Sequence, residues 1–285
     1  MKKWCPDQPV IHIDDSDVVK PDGYKFESLG WVRDGSGSTA AKNVYKKGYH
    51  VTEATVLTDS NHPVSIFSEI HSSKEKNFTS INDVTFSAME RAKALFGKAT
   101  FVMDRGYDDN KMFLKLDSIG QDYVIRLTAK RKLLYHNKWV FLVYGITEHP
   151  MMLATNKEIK SKDDVIKAAK LYFSRWKIEE YFRCKKQVFQ FENFRVRKRK
   201  AINALNFYIT LCMAFLGHIS MKSETNMLKV AIIRTADPIK EKIVFCYYRL
   251  AKGISGILSY AKEGIRLWFR TKRPAYRQLC LKLAV

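Results

Sequence analysis

Paired cysteines are absent from this sequence. The chain has five cysteines in 285 residues, all widely separated and with no C-x-x-C pair. This excludes a zinc ribbon and a disulfide framework, and it predicts a reducing compartment. The first residues carry positive charge, but no apolar run follows them, so no signal peptide is indicated. With 46% hydrophobic and 28% charged residues, the composition excludes a disordered tail, a coiled coil and a collagenous rod.

Acidic residues are scarce relative to basic ones. There are 29 Asp plus Glu against 50 Lys plus Arg, which gives a net charge of +21. The excess is concentrated at the end of the chain, where residues 161–285 carry 27 basic and 9 acidic side chains. Because such a surface attracts polyanions, the sequence predicts nucleic acid as the partner, with an anionic membrane surface as the alternative.

One uncharged stretch, 201–221, tests the possibility of a membrane span. A span normally needs about 20 mainly apolar residues. This stretch is interrupted by five polar side chains: Asn203, Asn206, Thr210, His218 and Ser220. We therefore predict a buried core helix here and no membrane association.

The order of predicted elements indicates a mixed α/β core. The front half alternates β-favouring runs with helical periods, 128–156 has only β character, and the period stays helical from Ser161 onward. The segment 30–48 is rich in Gly and Ser and predicts a loop. The predicted strands are 10–13, 49–57, 63–70, 99–103 and 123–127, and the predicted helices are 80–96, 109–116 and one from 161 past 191.

Three acidic positions are candidates for chemistry. Asp14 and Asp104 each follow a predicted strand, where α/β sheets place their ligands, although either residue taken alone is more typical of a turn cap. Glu179 lies on a helical stripe in which the residues recur at steps of 3, 4, 3 and 4. A solvated Arg–Glu ion pair would give the same spacing, but an aromatic residue within the stripe favours a face turned toward protein. The stripe is Tyr172, Arg175, Glu179, Phe182 and Lys186.

These residues carry a resemblance to a known family. The spacing Tyr172-x2-Arg175-x3-Glu179-x6-Lys186 resembles the Y-R-E-K signature of the IS4-type DDE transposases. The string Asp104-Arg-Gly-Tyr107 is similar to the second-aspartate block of that family, and Ile13-Asp14-Asp15-Ser16 is similar to its D-x-[S/T] first block. The resemblance extends over nearly the whole chain from about residue 10.

The resemblance implies an α/β fold with an RNase H-like catalytic core. A β-rich insertion would precede the glutamate-bearing helix, and a basic helical region would end the chain. The implied divisions are 1–127 for the first part of the core, 128–156 for the insertion, 157–225 for the second part of the core, and 226–285 for the C-terminal region.

The resemblance also assigns roles to individual residues. Asp14, Asp104 and Glu179 would be catalytic and would hold divalent metal, with two ions expected. Hard carboxylate oxygens without a His or Cys cluster suit Mg²⁺ or Mn²⁺ rather than zinc. The DNA contacts implied are Tyr172, Arg175 and Lys186 at the transposon end, and Arg126 as a further one.

The function implied is cut-and-paste transposition of an insertion sequence, by metal-dependent phosphodiester cleavage and strand transfer on double-stranded DNA. The protein would act in the cytoplasm on nucleoid DNA and would dimerise when it synapses DNA ends. Only 13 residues precede Asp14, so we expect the catalytic portion without the family's N-terminal DNA-binding domain. The alternatives are a non-catalytic DNA-binding remnant and a general RNase H-like nuclease.

Asp14 and Asp15 are alternative candidates for the first acid of the site. Successive strand residues point to opposite faces, so only one of Asp14 and Asp15 can face the other acids. The apolar alternation does not choose between them, while Ser16 favours Asp14 through the D-x-[S/T] resemblance.

Further along, eight cations in the segment 183–200 are predicted to contact phosphates: Arg183, Lys185, Lys186, Arg195, Arg197, Lys198, Arg199 and Lys200.

Overall fold

A computed structural model describes residues 4–35, 37–39, 42–132, 138–221, 226–236 and 245–271. An eight-stranded mixed sheet forms its centre. The strands are β1 (Val10–Val19), β2 (Gly30–Arg33), β3 (Tyr45–Leu57), β4 (Pro63–His71), β5 (Thr100–Met103), β6 (Asp122–Arg126), β7 (Trp139–Val143) and β8 (Met151–Thr155). The helices are α1 (Ile81–Phe96), α2 (Asn110–Ser118), α3 (Lys162–Phe173), α4 (Trp176–Gln187), α5 (Arg199–Ser220), α6 (Asn226–Thr235) and α7 (Tyr247–Thr271).

Strand β1 lies in the middle of this sheet. The strand order is β2-β3-β1-β5-β6-β8-β7, and β4 also pairs with β3. Strand β1 is antiparallel to β3 and parallel to β5, and β5 is parallel to β6. Strands β7 and β8 join the edge of the sheet through antiparallel pairing of β8 with β6, so the β-rich segment 128–156 extends the central sheet.

Helices cover both faces of the sheet. Ile11 and Ile13 of β1 pack with residues of α1 and α2 on one face. Val18 of β1 packs with α4 and α5 on the other face, and α3 packs on the neighbouring strands there. Because strand residues alternate between faces, the even-numbered positions of β1 lie toward α3 and α4.

Two helices begin where the sequence predicts. Ser80 caps α1 by accepting a hydrogen bond from the Asp83 N–H at 3.2 Å. Ser161 forms a capping box with Asp164, in which each side chain accepts from the other's backbone N–H. The aspartates also place negative charge at the positive end of each helix dipole. These caps confirm the predicted helix starts.

Three sequence expectations are wrong in detail. Strand β1 does not end at Ile13, because its antiparallel pairing with β3 continues through the acidic residues to Val19. The predicted loop 30–48 contains β2 and the start of β3. The expected single helix from Ser161 past 191 is two helices, with a break at Ser174 and Arg175 between α3 and α4.

Helix α5 occupies the uncharged stretch that was predicted to be a core helix. It is the one helix in the described part of the chain long and apolar enough to cross a membrane, and 39% of its apolar window is buried in the protein. One face packs in the core through Ile202, Ile209 and Met213. The opposite face exposes four large apolar side chains: Phe207, Tyr208, Leu211 and Phe215. Residues 133–137 of the predicted β-rich segment 128–156, and the chain after 271, lie outside the described residues.

Candidate active site

The two candidate aspartates lie side by side on parallel strands. In the register of β1 and β5, Ile13 is paired with Met103. Asp14 is the next residue of β1, and Asp104 is the residue immediately after the end of β5. The pairing therefore brings together two carboxylates that are far apart in the sequence, at the carboxyl end of β5 where α/β sheets place ligands.

Two side chains at the break between α3 and α4 bond to these carboxylates, and one of them also bonds to Glu179. Arg175, at the break, donates from Nη1 to Asp14 Oδ2 at 2.9 Å and from Nη2 to Glu179 Oε1, one turn into α4. Tyr172, in the last turn of α3, donates its hydroxyl to Asp104 Oδ1 at 3.1 Å. These bonds form two groups, Asp104 with Tyr172 and Asp14 with Arg175 and Glu179. The Arg175 guanidinium lies 6.0 Å from the centre of the Tyr172 ring, and this contact joins the two groups into one network.

Burial controls the charge state of this network. It raises the pKa of Asp14 to about 7, although the Arg175 charge opposes the shift. Burial disfavours the charged form of Arg175, but Asp14, Asp104 and Glu179 outweigh it and raise its pKa. The pKa of the Tyr172 hydroxyl is also raised by burial, with the nearby Arg126 partly offsetting the effect. A bound cation would lower the proton affinity of the same carboxylates.

Asp15 lies outside this network. Its Oδ1 accepts a hydrogen bond from Thr52 Oγ1 at 2.5 Å, and the Thr52 hydroxyl also lies 2.9 Å from His71 Nε2. Burial raises the pKa of Asp15. As an odd-numbered residue of β1, it has the opposite orientation to Asp14, toward the face covered by α1 and α2.

The donor set at this site is chemically suited to a hard divalent cation. Asp14, Asp104 and Glu179 offer only carboxylate oxygens, the ligands that Mg²⁺ and Mn²⁺ prefer. No three metal-ligating side chains converge on one point within the described ranges. Arg175 instead links Asp14 to Glu179, and its positive charge lies between them.

Comparison with known protein families identifies the family of this chain. The family described as "Transposase DDE domain" matches residues 6–215, which contain Asp14, Asp104 and Glu179. The chain belongs to the transposase DDE-domain family. A comparison with curated proteins gives no significant match.

A solved transposase has a similar fold. The piggyBac transposase, determined by cryo-EM as a synaptic complex with hairpin DNA, superposes with a TM-score of 0.55 at 9% sequence identity. The match covers 94% of this chain and 55% of the piggyBac chain, so the present chain spans about half the length of that protein. This likeness supports the mixed α/β fold of the DDE domain.

The other two predicted DNA contacts lie at the margin of the network. Lys186, at the end of α4, donates to the Asp17 carbonyl at 2.8 Å and pairs with Glu192 at 2.7 Å. It contacts none of the three acids in these interactions. Arg126, at the end of β6, lies near Tyr172.

The basic segment 183–200 is not one uniform phosphate-binding cluster. Lys185 is fully buried and pairs with Glu53 at 2.9 Å. Arg183 pairs with Glu180, and Arg199 pairs with Glu75 at 2.8 Å. Lys185 and Arg199 therefore have structural partners, contrary to the sequence prediction. The exposed cations of the segment are Arg183, which pairs with Glu180, and Arg195, Arg197, Lys198 and Lys200.

Glu53 is a fourth acid beside the site that the sequence analysis missed. It is paired with Asp14 across β1 and β3, so the two carboxylates share a face. Glu53 is fully buried and accepts from Ser65, Ser68 and Lys185. A single acid within the apolar run 51–57 of a predicted strand was the available signal, because a buried carboxylate requires a partner.

Proposed function

We propose that this DDE domain is an IS4-type DNA transposase with an RNase H-like core, which cleaves phosphodiester bonds and transfers strands during cut-and-paste transposition. The observation that supports this most is the network in which Arg175 bonds to Asp14 and Glu179, Tyr172 bonds to Asp104, and the Arg175 guanidinium lies against the Tyr172 ring. The strand order, with the two aspartates adjacent on β1 and β5, is consistent with such a core.

The three acids would act together as ligands of two Mg²⁺ or Mn²⁺ ions. When bound, such ions activate a water or a 3′-hydroxyl and stabilise the leaving oxygen of a phosphodiester. Carboxylates from two strands and one helix can hold the ions only while α4 stays fixed on the sheet. In the proposed enzyme, Arg175 keeps Asp14 and Glu179 in place.

The neighbouring side chains would bind the DNA backbone. Tyr172, Arg175, Lys186 and Arg126 offer one hydroxyl and three cations around the acids, which suits a phosphate chain. The net charge of +21 supports a polyanionic substrate. We propose double-stranded DNA as the partner, a dimer in the synapsed state, no membrane contact, and action in the cytoplasm on nucleoid DNA.

Isosteric changes at two of the acids test the proposal. Asp104→Asn and Glu179→Gln should abolish Mg²⁺- or Mn²⁺-dependent nicking of supercoiled DNA, because each loses a metal ligand. Glu180→Gln is the matched control, since Glu180 pairs with Arg183 and with Tyr248 rather than with the acid network. Circular dichroism and DNA affinity should be unchanged in all three.

The same assay separates the alternative functions. Nicking that persists in Asp104→Asn or Glu179→Gln would contradict the assignment of the acids. DNA binding without nicking by the wild-type chain would indicate a non-catalytic remnant. Nicking without any joining of cleaved ends to target DNA would indicate a general nuclease.

A further inference from the structure

A buried histidine lies beneath the acid network. His12 is on β1, two residues before Asp14, and its side chain has no solvent exposure. Because residues two apart on a strand share a face, His12 and Asp14 both lie toward α3 and α4. The catalytic scheme proposed above assigns His12 no role.

Among the described residues, His12 makes one side-chain hydrogen bond, to the break between α3 and α4. Its Nε2 lies 2.8 Å from the Ser174 hydroxyl oxygen. The Ser174 hydroxyl already donates to the Leu171 carbonyl at 2.6 Å, and a hydroxyl has a single proton. The Ser174 oxygen must therefore accept, so the proton is assigned to Nε2 of His12.

Ser174 is the residue where the two helices separate. It lies between Tyr172 and Arg175, which bond to Asp104 and Asp14 respectively. The backbone N–H of Lys177, in the first turn of α4, bonds to the Ser174 carbonyl. The His12 bond thus joins the strand that carries Asp14 to the backbone that sets the directions of Tyr172, Arg175 and Glu179.

Packing alone does not account for a histidine at this position. His12 Nδ1 is buried and has no hydrogen-bond partner within the described structure. An unpaired buried nitrogen costs free energy that an apolar side chain of similar size would avoid. The bond to Ser174 is the interaction that only a polar side chain can supply.

We propose that His12 is a positioning residue whose hydrogen bond to Ser174 fixes the start of α4 on β1, so that Arg175 and Glu179 stay aligned with Asp14. This inference deepens the proposed function and rests on it for its catalytic consequence. The mechanical part, a fixed junction between α3 and α4, can be measured without DNA.

The matched variants at His12 differ in how far the side chain can place a hydrogen-bond donor toward Ser174. In His12→Gln the side-chain amide can place a donor near the position of Nε2, whereas in His12→Asn the same amide is one methylene shorter. His12→Leu has no donor, and Ser174→Ala removes the acceptor at a small, half-buried site. His62→Leu is the control for loss of a buried histidine, because His62 bonds to Ser60 and Cys246 and not to this junction.

Hydrogen exchange provides the test that is independent of activity. His12→Leu, His12→Asn and Ser174→Ala should speed amide exchange over 172–179 and leave β5 unchanged, while His12→Gln should approach the wild type. Exchange at 172–179 that matches the wild type in both His12→Leu and Ser174→Ala would overturn the proposal. Equal amide exchange rates over 172–179 in His12→Gln and His12→Asn would also overturn the proposal.

Nicking kinetics provide the catalytic test. We expect kcat to fall between about 10- and 100-fold in His12→Leu and Ser174→Ala, because small misplacements of catalytic groups cost that much. The KM for DNA should change little, since phosphate contacts supply the affinity, and His12→Gln should recover much of kcat. A folded His12→Leu with wild-type kcat would contradict the positioning role. If the wild-type chain does not nick DNA, the proposed function fails, and the exchange data alone decide whether His12 fixes the junction.

Discussion

Arg175 is the residue on which the acid network is centred. It bonds to Asp14 and Glu179, while the charge of Asp104 also helps to raise its pKa. Three carboxylates close together repel one another, and a cation between them offsets that repulsion. Arg175 therefore holds Asp14 and Glu179 in a compact arrangement, which the proposed metal ions would complete.

The orientation of β1 predicts different outcomes for neighbouring aspartates. Asp14→Ala should remove DNA nicking, because its carboxylate shares the network with Glu179 and Tyr172. Asp15→Ala should leave a substantial fraction of the activity, because Asp15 bonds to Thr52 on the opposite face. Metal-dependent plasmid nicking measures both, with unfolding in urea as the check on stability. An active Asp14→Ala variant would reverse the assignment of the first acid.

His62 predicts a loss of stability in mild acid. It is buried near Cys246 and Tyr247, and burial lowers its pKa to about 4. The unfolded chain takes up a proton below about pH 6.5, while the folded chain does so only near pH 4, so stability is lost as the pH falls between these values. Relative to His62→Gln, the wild type should lose roughly 2 kcal/mol more unfolding free energy between pH 6.5 and pH 5. Parallel stability profiles in urea would contradict this.

Among the helices and strands, features set by neighbouring residues could be predicted from the sequence, whereas features set by tertiary contacts could not. Ser80 and Ser161 each cap a helix through a residue three positions later in the sequence, and α1 and α3 begin as predicted. The break at Ser174 has no proline or glycine to mark it, and its partner His12 is distant in the sequence. The spacing of Tyr172, Arg175 and Glu179 indicated a shared face correctly, but it could not reveal that two helices supply that face.

Two glycines of α7 predict opposite stability changes. A Cβ added to Gly253 would lie 2.1 Å from the Ile232 carbonyl oxygen of α6, whereas a Cβ on Gly256 would meet nothing within 4 Å. Gly253→Ala should destabilise the chain by about 1–3 kcal/mol through overpacking. Gly256→Ala, its matched control, should stabilise the helix by up to about 1 kcal/mol. Urea unfolding measures both, and equal effects of the two substitutions would show that α6 and α7 do not pack closely.

Across the described part of the molecule, some basic side chains are bonded within the protein and others are exposed to solvent. Sequence alone shows the excess of cations in 161–285, but it cannot show which of them already have partners. Lys185 bonds to Glu53, Ser68 and Thr210 in the protein interior. Arg199 bonds to the Ile70 carbonyl, pairs with Glu75, and lies 5.1 Å from the centre of the Tyr49 ring. The surface available to the proposed DNA partner is therefore smaller than the basic composition suggests.

This division predicts which cations set the salt dependence of DNA binding. Replacing Arg197, Lys198 and Lys200 together with Gln should reduce the slope of log K against log salt by roughly 2–3, at about 0.9 for each lost phosphate contact. Arg199→Gln, from the same segment, should leave the slope unchanged and lower the unfolding free energy, because the Arg199 side chain is only 12% exposed and bonds within the protein. Duplex affinity measured by fluorescence anisotropy from 50 to 200 mM salt, alongside urea unfolding, separates these effects. If the slope of log K against log salt falls in Arg199→Gln and not in the triple variant, the phosphate contacts of this segment are made by Arg199 and not by Arg197, Lys198 and Lys200.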